Sequence, residues 1–213
     1  MRQKALVLVA LALLLASAGF AQSTVNKSLR IGDGEVSEKG LSSVNGSINV
    51  GSGAQILDEA ETVNGSLTIG DDAETRDLSS VNGSVRVGDR VTVNGDLSTV
   101  NGTIRAGQNT NVTGDVETVN GTIDLRGTIV ERDLTTVNGR IVLDGARVQG
   151  DVIIQEVNQN GWGNNKRKPL EIELRGGAVI EGNLINEDDD RKVVLSLSGG
   201  SAVNGEIRGV EME

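Results

Sequence analysis

The tripeptide Val-Asn-Gly begins at Val44, Val63, Val81, Val100, Val119 and Val137, always 18 or 19 residues after the previous copy. Val25-Asn26-Lys27, 19 residues ahead of Val44, is a degenerate first copy. A period this short leaves few folds open. One such unit cannot bury an apolar face by itself, so the units must stack and share a core.

Aligning the units gives five aliphatic columns. Val44, Val63, Val81, Val100, Val119 and Val137 form the first, and Ile48, Leu67, Val85, Ile104, Ile123 and Ile141 the second. Val50, Ile69, Val87, Ala106, Leu125 and Leu143 form the third. The fourth is Ile56, Val93, Val112, Val130 and Val148, interrupted at Glu74; the fifth is Ala60, Leu78, Leu97, Val116, Leu134 and Val152. Local alternation of two, as in Ile48-Asn49-Val50, is strand periodicity. The first column is expected to point inward, which turns the flanking Ser or Thr and the Asn of each copy outward. Asn-Gly is expected to supply the positive φ of a tight corner.

The register continues to the end of the chain through Ile172, Leu174, Ile180 and Leu184, then Leu195, Leu197, Val203 and Ile207. Val203-Asn204-Gly205 therefore aligns with Val93-Asn94-Gly95 on another face. Two insertions interrupt the repeat, residues 155–169 and a shorter one over 186–192. Three short strands per turn imply an all-β chain, a single-stranded three-sided parallel β-helix of 18–19 residues per turn. About nine turns at ~4.8 Å give a rod of roughly 43 Å.

Residues 1–21 read as a signal peptide. Arg2 and Lys4 precede the apolar run Ala5–Ala16, and Gly19-Phe20-Ala21 offers small residues for cleavage before Gln22. That run is short of the ~20 residues a membrane span needs, so 22–213 is expected to be exported to the periplasm or bacterial cell surface without a span. Without Arg2 and Lys4 the 20 basic residues become 18 against 30 acidic ones, a net charge of −12. This disfavours nucleic acid as a partner. With no Cys the chain has neither disulfides nor thiolate metal sites, and with one Trp, one Phe and no Tyr its core must be aliphatic.

The turn length, the aliphatic columns and the steps Gly95-Asp96-Leu97, Gly114-Asp115-Val116 and Gly150-Asp151-Val152 resemble the bactofilins. These are polymer-forming bacterial proteins, and the resemblance covers residues 24–210. It implies a right-handed, three-sided β-helix. The signal peptide departs from bactofilins of the cytoplasmic type. The chain also resembles exported bacterial proteins with the same Val-Asn-Gly repeats, which implies export but no activity.

Three features are candidate sites. Glu59, Asp77, Asp96, Asp115, Asp133 and Asp151 form an acidic column, followed by Asn183 and Glu206. Stacked at ~4.8 Å, each pair repels by ~0.9 kcal/mol even at the dielectric of water. Asp96, Asp115, Asp133 and Asp151 are weak candidates for Ca²⁺ or Mg²⁺, but one column falls short of the 6–8 oxygens Ca²⁺ takes. The plainer reading is a solvated acidic edge relieved by Arg76 and Arg132. The second candidate is the Ser/Thr-x-Asn array beside the first column, which would suit ice binding if flat, or an amide ladder between turns. The third is the longer insertion, where Trp162, Lys166, Arg167 and Lys168 combine the only Trp with the densest basic cluster. Trp and Arg are enriched at binding hot spots, so these four are the expected contact with a cell-envelope protein or an acidic polymer.

Catalysis is not expected. With no His, Cys or Tyr, only carboxylates, Arg and Lys could serve a polysaccharide-active enzyme. The reading is an exported structural or interaction module without a cofactor, with divalent-cation or ice binding as alternatives. Self-association through the rod ends is open to the chain, because stacked turns leave unpaired edges. Lys27, Glu35 and Glu38 at one end and Glu211–Glu213 at the other are expected to act as polar caps, favouring a monomer or small oligomer.

Overall fold

A computed structural model describes residues 22–156 and 168–213; the expected signal peptide, residues 1–21, lies outside them. The described chain is all-β, with 29 short strands in three parallel sheets of ten, ten and nine strands. Each strand pairs with the strands one turn before and one turn after. Leu97, for example, lies between Leu78 and Val116. The result is a three-sided parallel β-helix of about nine turns. Strand Leu97–Asn101 belongs to sheet 1, Ile104–Ala106 to sheet 2 and Asn111–Val112 to sheet 3.

Each face turns two side chains inward. In one turn these are Leu97 and Thr99, Ile104 and Ala106, and Thr110 and Val112, all at most 3% exposed. The core is one continuous aliphatic column system from Leu29 to Leu195. The second, third and fifth columns lie where the sequence puts them, and the C-terminal turns keep the expected register. Val203 pairs with Ile180 and Ile207 with Leu184.

The first column is a correction. Val44, Val63, Val81, Val100 and Val119 face outward and are half-buried. Ser43, Thr62, Ser80, Thr99, Thr118 and Thr136 face inward, none more than 2% exposed. Alternation runs from the preceding column: Leu97 in, Ser98 out, Thr99 in, Val100 out. Thr matches Val in shape, and its hydroxyl can bond inside the core. Thr62 Oγ1 donates to the Gly46 carbonyl at 2.8 Å, Ser80 Oγ to Gly65 at 3.0 Å and Thr99 Oγ1 to Gly83 at 2.9 Å. These three hydroxyls escape the penalty of burying an unpaired one, while Thr118 Oγ1 and Thr136 Oγ1 are buried without a partner among the described residues.

Two smaller corrections concern sheet 3. The residue that interrupts the fourth column is Thr75, fully buried beside Val93, while Glu74 points to solvent. A sixth inward column of small residues runs through Ala54, Ala73, Val91, Thr110, Thr128, Ala146 and Ala178. It narrows that corner of the triangle.

The glycines fall into two classes, and the positive φ is not at most of the Asn-Gly steps. Apart from Asn26 in the degenerate first copy, Gly121 and Gly209, it occurs between sheets 2 and 3, as at Gly53, Asp72, Arg90, Asn109 and Gly127. The glycines of Val-Asn-Gly answer a different constraint, close approach. A Cβ on Gly83 would lie 1.8 Å from the Gly65 carbonyl oxygen. The turns are too near there for any side chain.

Glu211–Met212 is itself the last strand of sheet 2, with Lys192 Nζ 2.7 Å from Glu211. It continues the helix rather than folding over its end.

The two classes of glycine predict different costs. Gly83→Ala forces backbone against backbone and should lower the melting temperature by ~10 °C or more. Gly53→Ala meets open space at φ +66° and should cost only ~1–2 kcal/mol, a few degrees. Gly53→Asn should cost less still, since Asn109 already occupies the equivalent place. Equal losses for Gly83→Ala and Gly53→Ala in thermal denaturation would contradict this packing.

Candidate functional site: ladders at the corners

Because identical corners lie one above another, each corner carries a chain of side-chain hydrogen bonds. Between sheets 1 and 2 the asparagines of Val-Asn-Gly form an amide ladder. Asn45 Nδ2 donates to Asn26 Oδ1 at 2.7 Å, Asn64 to Asn45 at 2.8 Å and Asn82 to Asn64 at 2.9 Å. Asn101, Asn120 and Asn138 extend it at 2.9, 3.1 and 3.1 Å. The degenerate Asn26 is thus the first rung.

The expected Thr-x-Asn surface array does not form, because its Thr half is inside the core. A surface lattice for ice loses its premise on this face. What faces solvent on sheet 1 is a stripe of half-buried valines beside the asparagines.

The acidic column stacks as expected and is a ladder too. Asp77 Oδ1 accepts the backbone N–H of Asp96 at 2.8 Å, and Asp96 Oδ1 accepts that of Asp115 at 2.8 Å. Asp115, Asp133 and Asp151 repeat the bond to Asp133, Asp151 and Asn183 at 3.0, 2.9 and 2.7 Å. Asn183 then serves Glu206 at 2.9 Å. Each of these five aspartates therefore bonds an N–H of the next turn, which offsets the repulsion between rungs. A shorter series does the same between sheets 2 and 3, where Asp33, Asp71 and Asp89 accept from Ser52, Asp89 and Gln108.

Among the described residues no group of three or more Asp or Glu side chains could hold a metal ion. Desolvation raises the Asp96 carboxyl above its ordinary range, opposed by the hydrogen bond from the Asp115 N–H and by Arg132 and reinforced by the charges of Asp115 and Asp77.

One acidic cluster was not legible as such in the sequence. Glu61 lies on the outer face of sheet 1 between Ser42 and Ser79, whose short side chains let it lie flat, 9% exposed. Its carboxyl meets Glu59, with Asp77 nearby. Burial, then Glu59, push its pKa up to about 7. The Glu59 carboxyl is raised as well, by burial and then Asp58. The signal would have been the alternation in sheet 1, which places position 61 on a face of small neighbours.

Of the expected contact residues, Lys168 is exposed. Trp162, Lys166 and Arg167 lie outside the described residues. The strands flanking the insertion end at Ile154 and resume at Leu170.

Compared with protein-family models, curated proteins and solved structures, the chain finds no match in any of the three.

The Glu61 cluster predicts a pH dependence of stability. An acid whose folded pKa exceeds its unfolded value, near 4.5 here, stabilises fully below that value. The contribution is lost as pH rises through about 7. Melting temperature should therefore fall between pH 5 and pH 8. Glu61→Gln should flatten that fall and raise the pH 8 value by ~2–4 °C for each kcal/mol recovered. Thermal melts of the two proteins at both pH values check this; identical pH profiles would contradict it.

Proposed function

We propose that the protein is an exported, non-catalytic structural or interaction module of the bacterial cell envelope, a rigid rod of the bactofilin-like kind. The observation that carries this reading is the use made of the polar side chains. The repeated Asn and Asp, the groups most available for chemistry in a chain without His, Cys or Tyr, are engaged turn to turn as staples. A surface spent on holding its own turns together suits a spacer or platform better than a reaction centre. The basic Arg2 and Lys4 and the apolar run Ala5–Ala16 within residues 1–21 support export to the periplasm or cell surface.

In this reading the rod presents a loop. Trp162, Lys166, Arg167 and Lys168 supply one aromatic anchor and a local charge of +3 on an acidic body. They contact an envelope protein or an acidic polymer through charge steering and one apolar anchor.

Two measurements on the mature chain test this. Pull-down from native envelope should capture a partner with residues 155–169 present and lose it when they are replaced by a short Gly-Ser linker. Trp162, the only Trp, should be open to a soluble quencher in the free protein and shielded when envelope extract is added. Capture that survives loop replacement, or a Trp162 already shielded in the free protein, would sink the loop assignment. A hydrolase or lyase activity on an envelope glycan, lost with a single carboxylate, would overturn the non-catalytic reading.

A further inference from the structure

The asparagine ladder has a direction, and one of its ends needs a partner. Every rung donates Nδ2–H back to Oδ1 of the turn before it, so the last rung, Asn138, is left with an Oδ1 that must receive a donor from the next turn. The register names the residue that would supply it. Thr136 pairs with Ile154, so Glu156 falls at the level above Asn138. A carboxylate has no hydrogen to give and would set oxygen against oxygen. The repeat cannot continue through Glu156 at this corner.

Arg191 fills the place. It comes from the segment between strands Leu184–Asn186 of sheet 1 and Val193–Leu197 of sheet 2, more than 50 residues away in sequence. Its Nη2 donates to Asn138 Oδ1, and its Nη1 donates to the Val137 carbonyl at 2.6 Å. Asp188 Oδ2 lies 3.8 Å from its Nε, and both side chains are at most 6% exposed. Val137 drops to 8% exposure, while the equivalent valines on earlier turns remain half-buried.

The segment is built to hold this arginine. Asn186 Nδ2 donates to the carbonyls of Asp188, Arg191 and Gly209, and its Oδ1 accepts the Asp188 N–H at 3.1 Å. The Arg191 N–H closes the turn on the Asp188 carbonyl at 3.0 Å. Aligned amides polarise one another, so the Oδ1 end of the ladder carries the negative pole. A cation there is favoured for the reason that it is favoured at a helix C-terminus.

We infer that Arg191 is the terminator of the asparagine ladder and the latch that holds residues 187–192 closed as a strap over the outer face of sheet 1. The latch covers Val137 and Asn138, one turn before Glu156. This inference stands apart from the proposed function, since it concerns only described residues and their hydrogen bonds.

Native-state hydrogen exchange on the mature chain tests it, with variants Arg191→Met, Arg191→Lys and Asn138→Ala. Arg191→Met should speed exchange of the amides of residues 187–193 by ~10-fold or more while the central turns keep their protection. Arg191→Lys, which keeps the charge but loses the fork, should fall between Met and the parent. Asn138→Ala should open the same strap amides, and the double variant should be no worse than the worse single one, because both remove one interaction. Exchange within about twofold of the parent in Arg191→Met, or single effects that multiply in the double variant, would overturn the latch. Should Arg191→Met fail to fold, Asn138→Ala and Arg191→Lys carry the test, and unchanged strap exchange in both would overturn it equally.

Discussion

Within its sheets and corner ladders every turn of this rod bonds only to the turn above and the turn below, ~4.8 Å away. That single constraint governs the rest. A residue type suited to one turn must also suit contact with its own copy on the next. Aliphatic columns meet the condition by burying one another. Asparagines meet it because an amide is both donor and acceptor, so Asn64 can serve Asn45 and be served by Asn82. Aspartates meet it by turning Oδ1 toward a backbone N–H, as Asp96 does for Asp115. Glycine is required where even a methyl group would meet the carbonyl of the turn before, as at Gly83.

The same constraint explains where the pattern must stop. A ladder of amides has a donor end and an acceptor end, and each needs something other than another asparagine. At Glu156 the sequence offers no donor, and the chain brings Arg191 from a later turn instead. Glu61 is the converse case. A carboxylate buried on the face of sheet 1 against Glu59, with the Ser79 hydroxyl as a lesser counterweight, shifts its proton affinity upward.

Turn length, sheet number and most column membership were legible in the sequence, because aliphatic residues recurring at 18–19 residues admit little else. The phase of sheet 1 was not. In Leu-Ser-Thr-Val-Asn both Thr99 and Val100 are β-branched, and hydrophobicity alone favours Val inside. What decides is geometric: Thr99 shares a face with Leu97, and the Gly83 carbonyl receives its hydroxyl. The positive φ at Asp72, Arg90 and Asn109 was hidden for a similar reason, since the glycine of each corner stands two positions earlier, at Gly70, Gly88 and Gly107. The acidic column could be seen as a column, but its hydrogen bonds to backbone depend on a corner shape that spacing does not reveal. Arg191 lay beyond any local pattern, because its partners are 53 and 54 residues away.

Hydroxyls line the inside of sheet 1, and the valines of Val-Asn-Gly line its outside. The absence of native cysteine gives a clean background for testing it by thiol labelling. With Thr99→Cys and Val100→Cys made separately in the mature chain, the stacked geometry predicts that Cys at 100 reacts with a small polar maleimide in the native protein. Cys at 99 should react only after unfolding. A native protein that labels at 99 and protects 100 would contradict the register on which the whole structure rests.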